Sequence, residues 1–197
     1  MPRTKAQNEA IRAEKRELIM KSALKLFAEK GFAATSISDI AQAANISKGL
    51  LYNYFASKEE VLKSIWDGLS EEFMQMIDPN QDGEVTQEEA ENFIDKMFDM
   101  LVNRREEMKL YFQSSFQPGV LDFLKHSYNT KKAVERQRFV IKYFTERLPI
   151  ADPFNAYLTV LTFIKGLTMV VTYSDGLFDA KTVESYKQFL KTTLFKQ

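Results

Sequence analysis

A chain of 197 residues, 45% of them hydrophobic, has room for a buried core in one domain or in two small ones. Its 27 Lys and Arg balance 27 Asp and Glu, and it has no cysteine, which excludes disulfides, thiolate metal sites and a cysteine nucleophile. No apolar run reaches the ~18 residues of a membrane-spanning helix, and the polar start MPRTKAQNEAIRAEKR lacks a secretory h-region, so no membrane partner and a cytoplasmic location are expected.

The apolar stripe Ile19, Ala23, Leu26 and Phe27 predicts a helix over about 8–30, with Gly31 as its C′ residue. Ser36 is placed to cap a short helix through Ala44, and Ser47 another through about Phe55. Ser57 with Glu60 forms a capping box that opens a long helix to about Ile77. Thr86 with Glu89 opens the next, with Phe93, Ile94, Met97 and Leu101 on one face. Pro118-Gly119, Asn129 and Pro149 interrupt the helical pattern C-terminal to it. Asp152-Pro153 starts a helix that is apolar almost all round and ends at Asp175-Gly176, and a last amphipathic helix runs from about Asp179 to Phe195. No strand alternation is present, so the fold class is all-α.

Residues 36–55, SISDIAQAANISKGLLYNYF, read as a helix-turn-helix. Two short helices meet across Asn45-Ile46-Ser47, where Asn tolerates a left-handed backbone. Ile40, Ile46, Leu51 and Phe55 point inward. The outer face of the second helix then carries Lys48, Gly49, Leu50, Tyr52, Asn53 and Tyr54. Such a face suits a DNA groove: lysine reaches a guanine edge or a phosphate, glycine admits close approach, and tyrosines offer hydroxyls and ring edges. Lys58, at the start of the next helix, is expected to grip the phosphate backbone. Residues 1–60 hold ten Lys/Arg against seven Asp/Glu, the sign a polyanion partner requires. The bland alternative is a helical hairpin with an exposed aromatic face.

The run ALKLFAEKGFAATSISDIAQAANISKGLLYNYFASKEEVL, residues 23–62, resembles the N-terminal domain of TetR-family transcriptional regulators. The likeness is carried by LF…GF..TS, IA..A.IS.G.LY.YF and SKEE.L; Asn45 departs from the family's usual glycine. The resemblance implies a helix-turn-helix domain, residues 1–60, and a helical effector-binding and dimerisation domain, residues 61–197. It implies DNA contact by Thr35, Ser36, Lys48, Gly49, Leu50, Tyr52, Tyr54 and Lys58. The expected protein is a non-enzymatic homodimeric repressor, paired through its last two helices and released from a palindromic operator by a small, mainly apolar effector. Recognition helices about 34–36 Å apart would enter successive major grooves of double-stranded DNA. Met97, Met100, Tyr111, Phe112, Phe116, Phe139, Tyr143, Phe163 and Tyr173 are the residues expected to line the effector pocket.

One stretch points elsewhere. DPNQDGEVTQEE, residues 78–89, satisfies the EF-hand calcium-loop pattern, with Asp78, Asn80, Asp82, the Glu84 carbonyl, Thr86 and Glu89 as ligands to Ca²⁺ and Gly83 at the sharp turn. No cofactor is required by the DNA-binding reading, but this loop supports an alternative, a calcium-responsive helical interaction protein. Against it, Ala90 follows the last ligand, no second loop exists, and the same residues make good turn and capping chemistry. An enzyme is not expected: with one His, no Cys and no glycine-rich phosphate loop, the usual catalytic constellations are absent.

Overall fold

The computed structural model describes residues 4–128, 138, 142–143, 152–174 and 179–195, and every regular element among them is helical. The elements are α1 (Lys5–Glu29), α2 (Ile37–Ala43), α3 (Lys48–Tyr52), α4 (Lys58–Ile77), α5 (Gln87–Asn103), α6 (Arg105–Ser115), α7 (Pro118–Tyr128), α8 (Pro153–Tyr173) and α9 (Ala180–Phe195). No helix among the described residues is long and apolar enough to cross a membrane.

Local chemistry sets most of the boundaries. Helix α1 begins earlier than its apolar stripe suggests, because Thr4 and Gln7 cap each other: the Thr4 hydroxyl accepts the Gln7 N–H, and the Gln7 side chain accepts the Thr4 N–H. It ends at Gly31, whose φ of 93° is a conformation that side chains disfavour. Asn45 takes φ 52° at the turn between α2 and α3. The box at the head of α4 differs from expectation in one arm: Ser57 Oγ accepts the Glu60 N–H, but the Glu60 carboxylate accepts from Ala56, not Ser57. Pro118 does not merely interrupt; it is the first residue of α7. Asp152 caps α8 by accepting the Asn155 N–H, with Pro153 following. Asn129, Pro149 and Asp175-Gly176 lie outside the described residues.

The chain divides into two compact units, Met1–Ser70 with Gln113–Phe123, and Glu71–Phe112 with Leu124–Gln197. The division therefore falls inside α4, beyond residue 60, and the first turns of α7 belong to the first unit. The reason is packing: Val120 is fully buried there, and Gly119 lies against the ring of Phe32. That unit's core is Ile19, Ala23, Phe27, Ile40, Leu51, Phe55, Val61 and Leu62, with Ile46 only half-buried. In the second unit, α5 buries Phe93, Ile94, Met97, Phe98 and Leu101, and both α8 and α9 pack on it. Lys187 of α9 is 7% exposed, and its ammonium lies 3.0 Å from Asp99 and 4.0 Å from Asp95. A buried lysine needs such partners, so the pair of aspartates fixes where α9 sits along α5.

Candidate nucleic-acid interface

The helix-turn-helix is assembled from its caps. Ser36 Oγ accepts the Asp39 N–H at 3.1 Å, and Asp39 Oδ2 accepts both the backbone N–H and the hydroxyl of Ser36 at 2.8 Å. Lys30 Nζ donates to the same oxygen at 3.0 Å. The Ser36 backbone N–H, then the Ser36 hydroxyl and Lys30, pull the Asp39 pKa from 3.8 down to about 2. A depressed carboxylate contributes its stability above the unfolded value and loses it as pH falls through the folded one. An NMR titration of the Asp39 carboxyl carbon is therefore expected to show a midpoint near 2, and Ser36→Ala to raise it. A midpoint at the ordinary value in the parent would contradict this cap.

Helix α3 is capped by Ser47, whose hydroxyl accepts the Leu50 N–H at 3.1 Å. Leu51 is fully buried and fixes which side faces the core. Lys48, Gly49, Leu50, Tyr52 and Asn53 are exposed together on the other side, Tyr52 at 49%. A Cβ at Gly49 would meet nothing within 4 Å, and its φ is not positive, so neither packing nor backbone geometry calls for glycine there. Ser36 is exposed at the head of α2.

Helix α3 stops at Tyr52, short of the expected Phe55, because α1 holds the carbonyls just beyond it. Arg16 donates to the Tyr54 carbonyl at 2.9 Å and to Ser64 Oγ at 2.8 Å, with its guanidinium 4.1 Å above the Phe55 ring. Arg12 reaches the Asn53 carbonyl at 3.4 Å and lies 5.8 Å from the Tyr54 ring. Tyr54 is consequently half-buried beside α1, not part of the fully exposed face. Sequence reasoning missed both arginines. The signal was available: Arg16 precedes Ile19 by three residues and Ala23 by seven, so it shares the buried stripe of α1.

Two expected contacts turn inward. Thr35 is 1% exposed, and its hydroxyl donates to the Gly31 carbonyl at 2.7 Å. Lys58 is half-buried, and its ammonium donates to the carbonyls of Phe32, Ala33 and Thr35. Both residues hold the turn between α1 and α2.

Residues 19–65 match the family model of bacterial regulatory proteins of the tetR family. Over that segment the chain carries a TetR-family domain. Among curated relatives, the regulator YerO of Bacillus subtilis is 31% identical over 126 residues, 62% of this chain and 44% of YerO. IcaR of Staphylococcus epidermidis, a negative transcriptional regulator of the icaADBC biofilm operon, is 32% identical over 56% of this chain and 60% of IcaR. The chain thus spans about half the length of these relatives. The fold likeness is longer. A TetR-family structure from Shewanella sp. PV-4 has a TM-score of 0.66 at 19% identity, covering 90% of this chain and 95% of that one. The fatty acid degradation regulator FadR of Bacillus halodurans gives 0.62 at 23%, covering 93% and 97%.

The residues expected to line a pocket do not share one environment. Met97 and Met100 are core residues of the second unit, 2% and 4% exposed. Tyr143 is buried, Tyr111, Phe112 and Phe163 are half-buried, and the Phe112 and Tyr173 rings meet with centroids 5.6 Å apart. Phe116 is 56% exposed and belongs to the first unit, and Phe139 lies outside the described residues. Burial, then the nearby Glu107 charge, pushes the Tyr111 hydroxyl up to about 12, so it stays protonated and able to donate. An open groove on α9 is lined by Lys181, Thr182, Ser185, Tyr186 and Phe189, none of them anticipated.

The EF-hand-like loop, residues 78–89, is closed by its own side chains. Asp78, 8% exposed, accepts the Asp82 N–H at 3.2 Å and the Gly83 N–H at 3.1 Å. Asn80 accepts from the Asp82 N–H, and Asp82 accepts the Glu84 N–H at 2.8 Å. Thr86 and Glu89 form the complete capping box of α5, and the Glu84 carboxylate lies 3.2 Å from Lys142. Gln81 and Gly83 supply the positive φ values, 59° and 77°. Among the described residues no three His, Cys, Asp or Glu side chains are gathered to hold a metal ion. Turn closure and helix capping account for these residue types at this spacing.

Proposed function

We propose that this TetR-family protein is a DNA-binding transcriptional repressor that reads a palindromic operator as a homodimer, through the exposed face of α3, and is released by a small, mainly apolar effector. The observation that carries the proposal is that face itself. Lys48, Gly49, Leu50, Tyr52 and Asn53 lie exposed together on a helix whose own packing requires none of them. The relationship to IcaR, a negative regulator of transcription, supports the direction of the effect. Pairing through α8 and α9 is supported by the apolar side chains they expose, Met169, Val170 and Tyr173 on α8 and Phe189 on α9, which a four-helix bundle would cover. The aromatic pair of half-buried Phe112 and exposed Tyr173, with the neutral Tyr111 hydroxyl, supports an effector with apolar bulk and few charges.

Selection of bound duplexes from a random pool tests the whole reading. A two-fold symmetric consensus is expected; recovery of no enriched sequence would end it. Gly49→Ala tests the face. Alanine in place of a helical glycine is expected to leave the melting temperature unchanged or raise it, by up to about 1 kcal/mol of stability. The same added methyl is expected to weaken DNA binding at least about tenfold, because it stands where a groove must approach. Equal DNA affinity in parent and variant would move the contact surface elsewhere. Effectors are sought by thermal shift with uncharged apolar and aromatic compounds, and a library with no shifting member would remove that part of the proposal.

A further inference from the structure

We infer that Lys58 is a positioning residue: it holds the Gly31–Thr35 turn, and through that turn the capped start of α2, in the shape DNA reading requires, and it does not grip phosphate. A lysine ammonium has three N–H donors. Three carbonyls take them, Phe32 at 2.9 Å, Thr35 at 3.0 Å and Ala33 at 3.3 Å. The same nitrogen lies 4.6 Å from the Phe32 ring centroid. These acceptors sit between two helices, so helical bonding does not satisfy them, and Gly31 bends the chain there at φ 93°. Thr35 closes the turn from within by donating to the Gly31 carbonyl. The next residue is Ser36, the N-cap of α2. The first residue of α4 therefore ties the end of α1 to the start of α2. Reaching a phosphate would take the ammonium away from all three oxygens together.

Only the DNA-reading half of this inference rests on the proposed function, and the two halves are measured separately. Lys58→Met removes the charge and keeps the stem. Lys58→Arg keeps the charge in a planar fork that does not match three converging carbonyls. Both are made in the full chain and studied where circular dichroism shows them folded. Hydrogen exchange without DNA is expected to quicken at least about tenfold at the amides of residues 35–40 in both variants, with α5 unchanged. Unchanged exchange at 35–40 overturns the clamp. DNA affinity, measured on the duplex recovered from the random pool over a salt series, is expected to fall at least about tenfold in both, with the slope of log K against log salt preserved. A phosphate contact would instead flatten the slope by about 0.9 per protomer in Lys58→Met and be rescued by Lys58→Arg, and that result overturns the inference. Unchanged affinity in a folded, faster-exchanging variant overturns the positioning role. Should the parent bind no duplex, the proposed function fails while the exchange data still decide the clamp.

Discussion

Arg16→Met is expected to lower stability by about 2–3 kcal/mol, because one guanidinium joins three elements there. It donates to the Tyr54 carbonyl just past α3 and to Ser64 Oγ on α4, and it lies over the Phe55 ring, all from a half-buried position on α1. A hydrogen bond with a charged partner contributes about 1.5–3 kcal/mol and a desolvated cation–π contact up to ~2, but contacts of one group do not add in full. Methionine retains the apolar stem and leaves the Tyr54 carbonyl without its donor. For a chain of this size the loss corresponds to a melting temperature lower by roughly 5–10 °C. Arg16→Lys is expected to fall between parent and methionine, since one ammonium on a shorter reach does not serve both acceptors and stack on the ring. A methionine variant that melts with the parent would mean these contacts contribute nothing in solution. DNA binding should fall beyond the stability loss, because the segment that Arg16 fastens is the end of α3, the helix proposed to read DNA.

The same residue shows how far sequence reasoning reaches. Caps and turns are local, so Ser36, Ser47, Thr86 and Asp152 could be placed from residue type and spacing, and Asn45 could be assigned its left-handed backbone. The exposed face of α3 was legible for the same reason: burying Leu51 determines which neighbours stay outside. The inward partners of Lys58 and Thr35 were not legible because they are set by tertiary structure. Lys58 bonds to carbonyls 23 to 26 positions earlier, and a cation at the head of a helix looks the same in sequence whether it meets solvent, phosphate or a folded turn. The loop at 78–89 is ambiguous in another way. Calcium ligation and turn closure draw on the same carboxylate and amide oxygens, so residue type alone does not separate them. The pocket residues were the least legible, since Met97 in a core and Phe112 at a surface edge share the same helical spacing.

Gly119→Ala is expected to destabilise the chain by about 1–3 kcal/mol, opposite in sign to the usual effect of removing a helical glycine. The added carbon would stand 2.7 Å from one Phe32 ring carbon, closer than real contacts come, and 3.4 Å from the next. The ring has little room to retreat. It is 9% exposed, meets Phe27 edge-on with centroids 5.1 Å apart, and lies beneath the Lys58 ammonium. The methyl must therefore displace either the start of α7 or the turn at Gly31. A double-mutant cycle separates this contact from any general intolerance of α7. Phe32→Leu alone should cost stability, yet beside leucine the alanine at 119 should cost less, giving a coupling of about 0.5–3 kcal/mol. If the two costs simply add, ring and glycine do not touch in solution. The contact of Gln113–Phe123 with the turn that Lys58 holds would then rest on Gln117, whose side-chain oxygen lies beside Gly31.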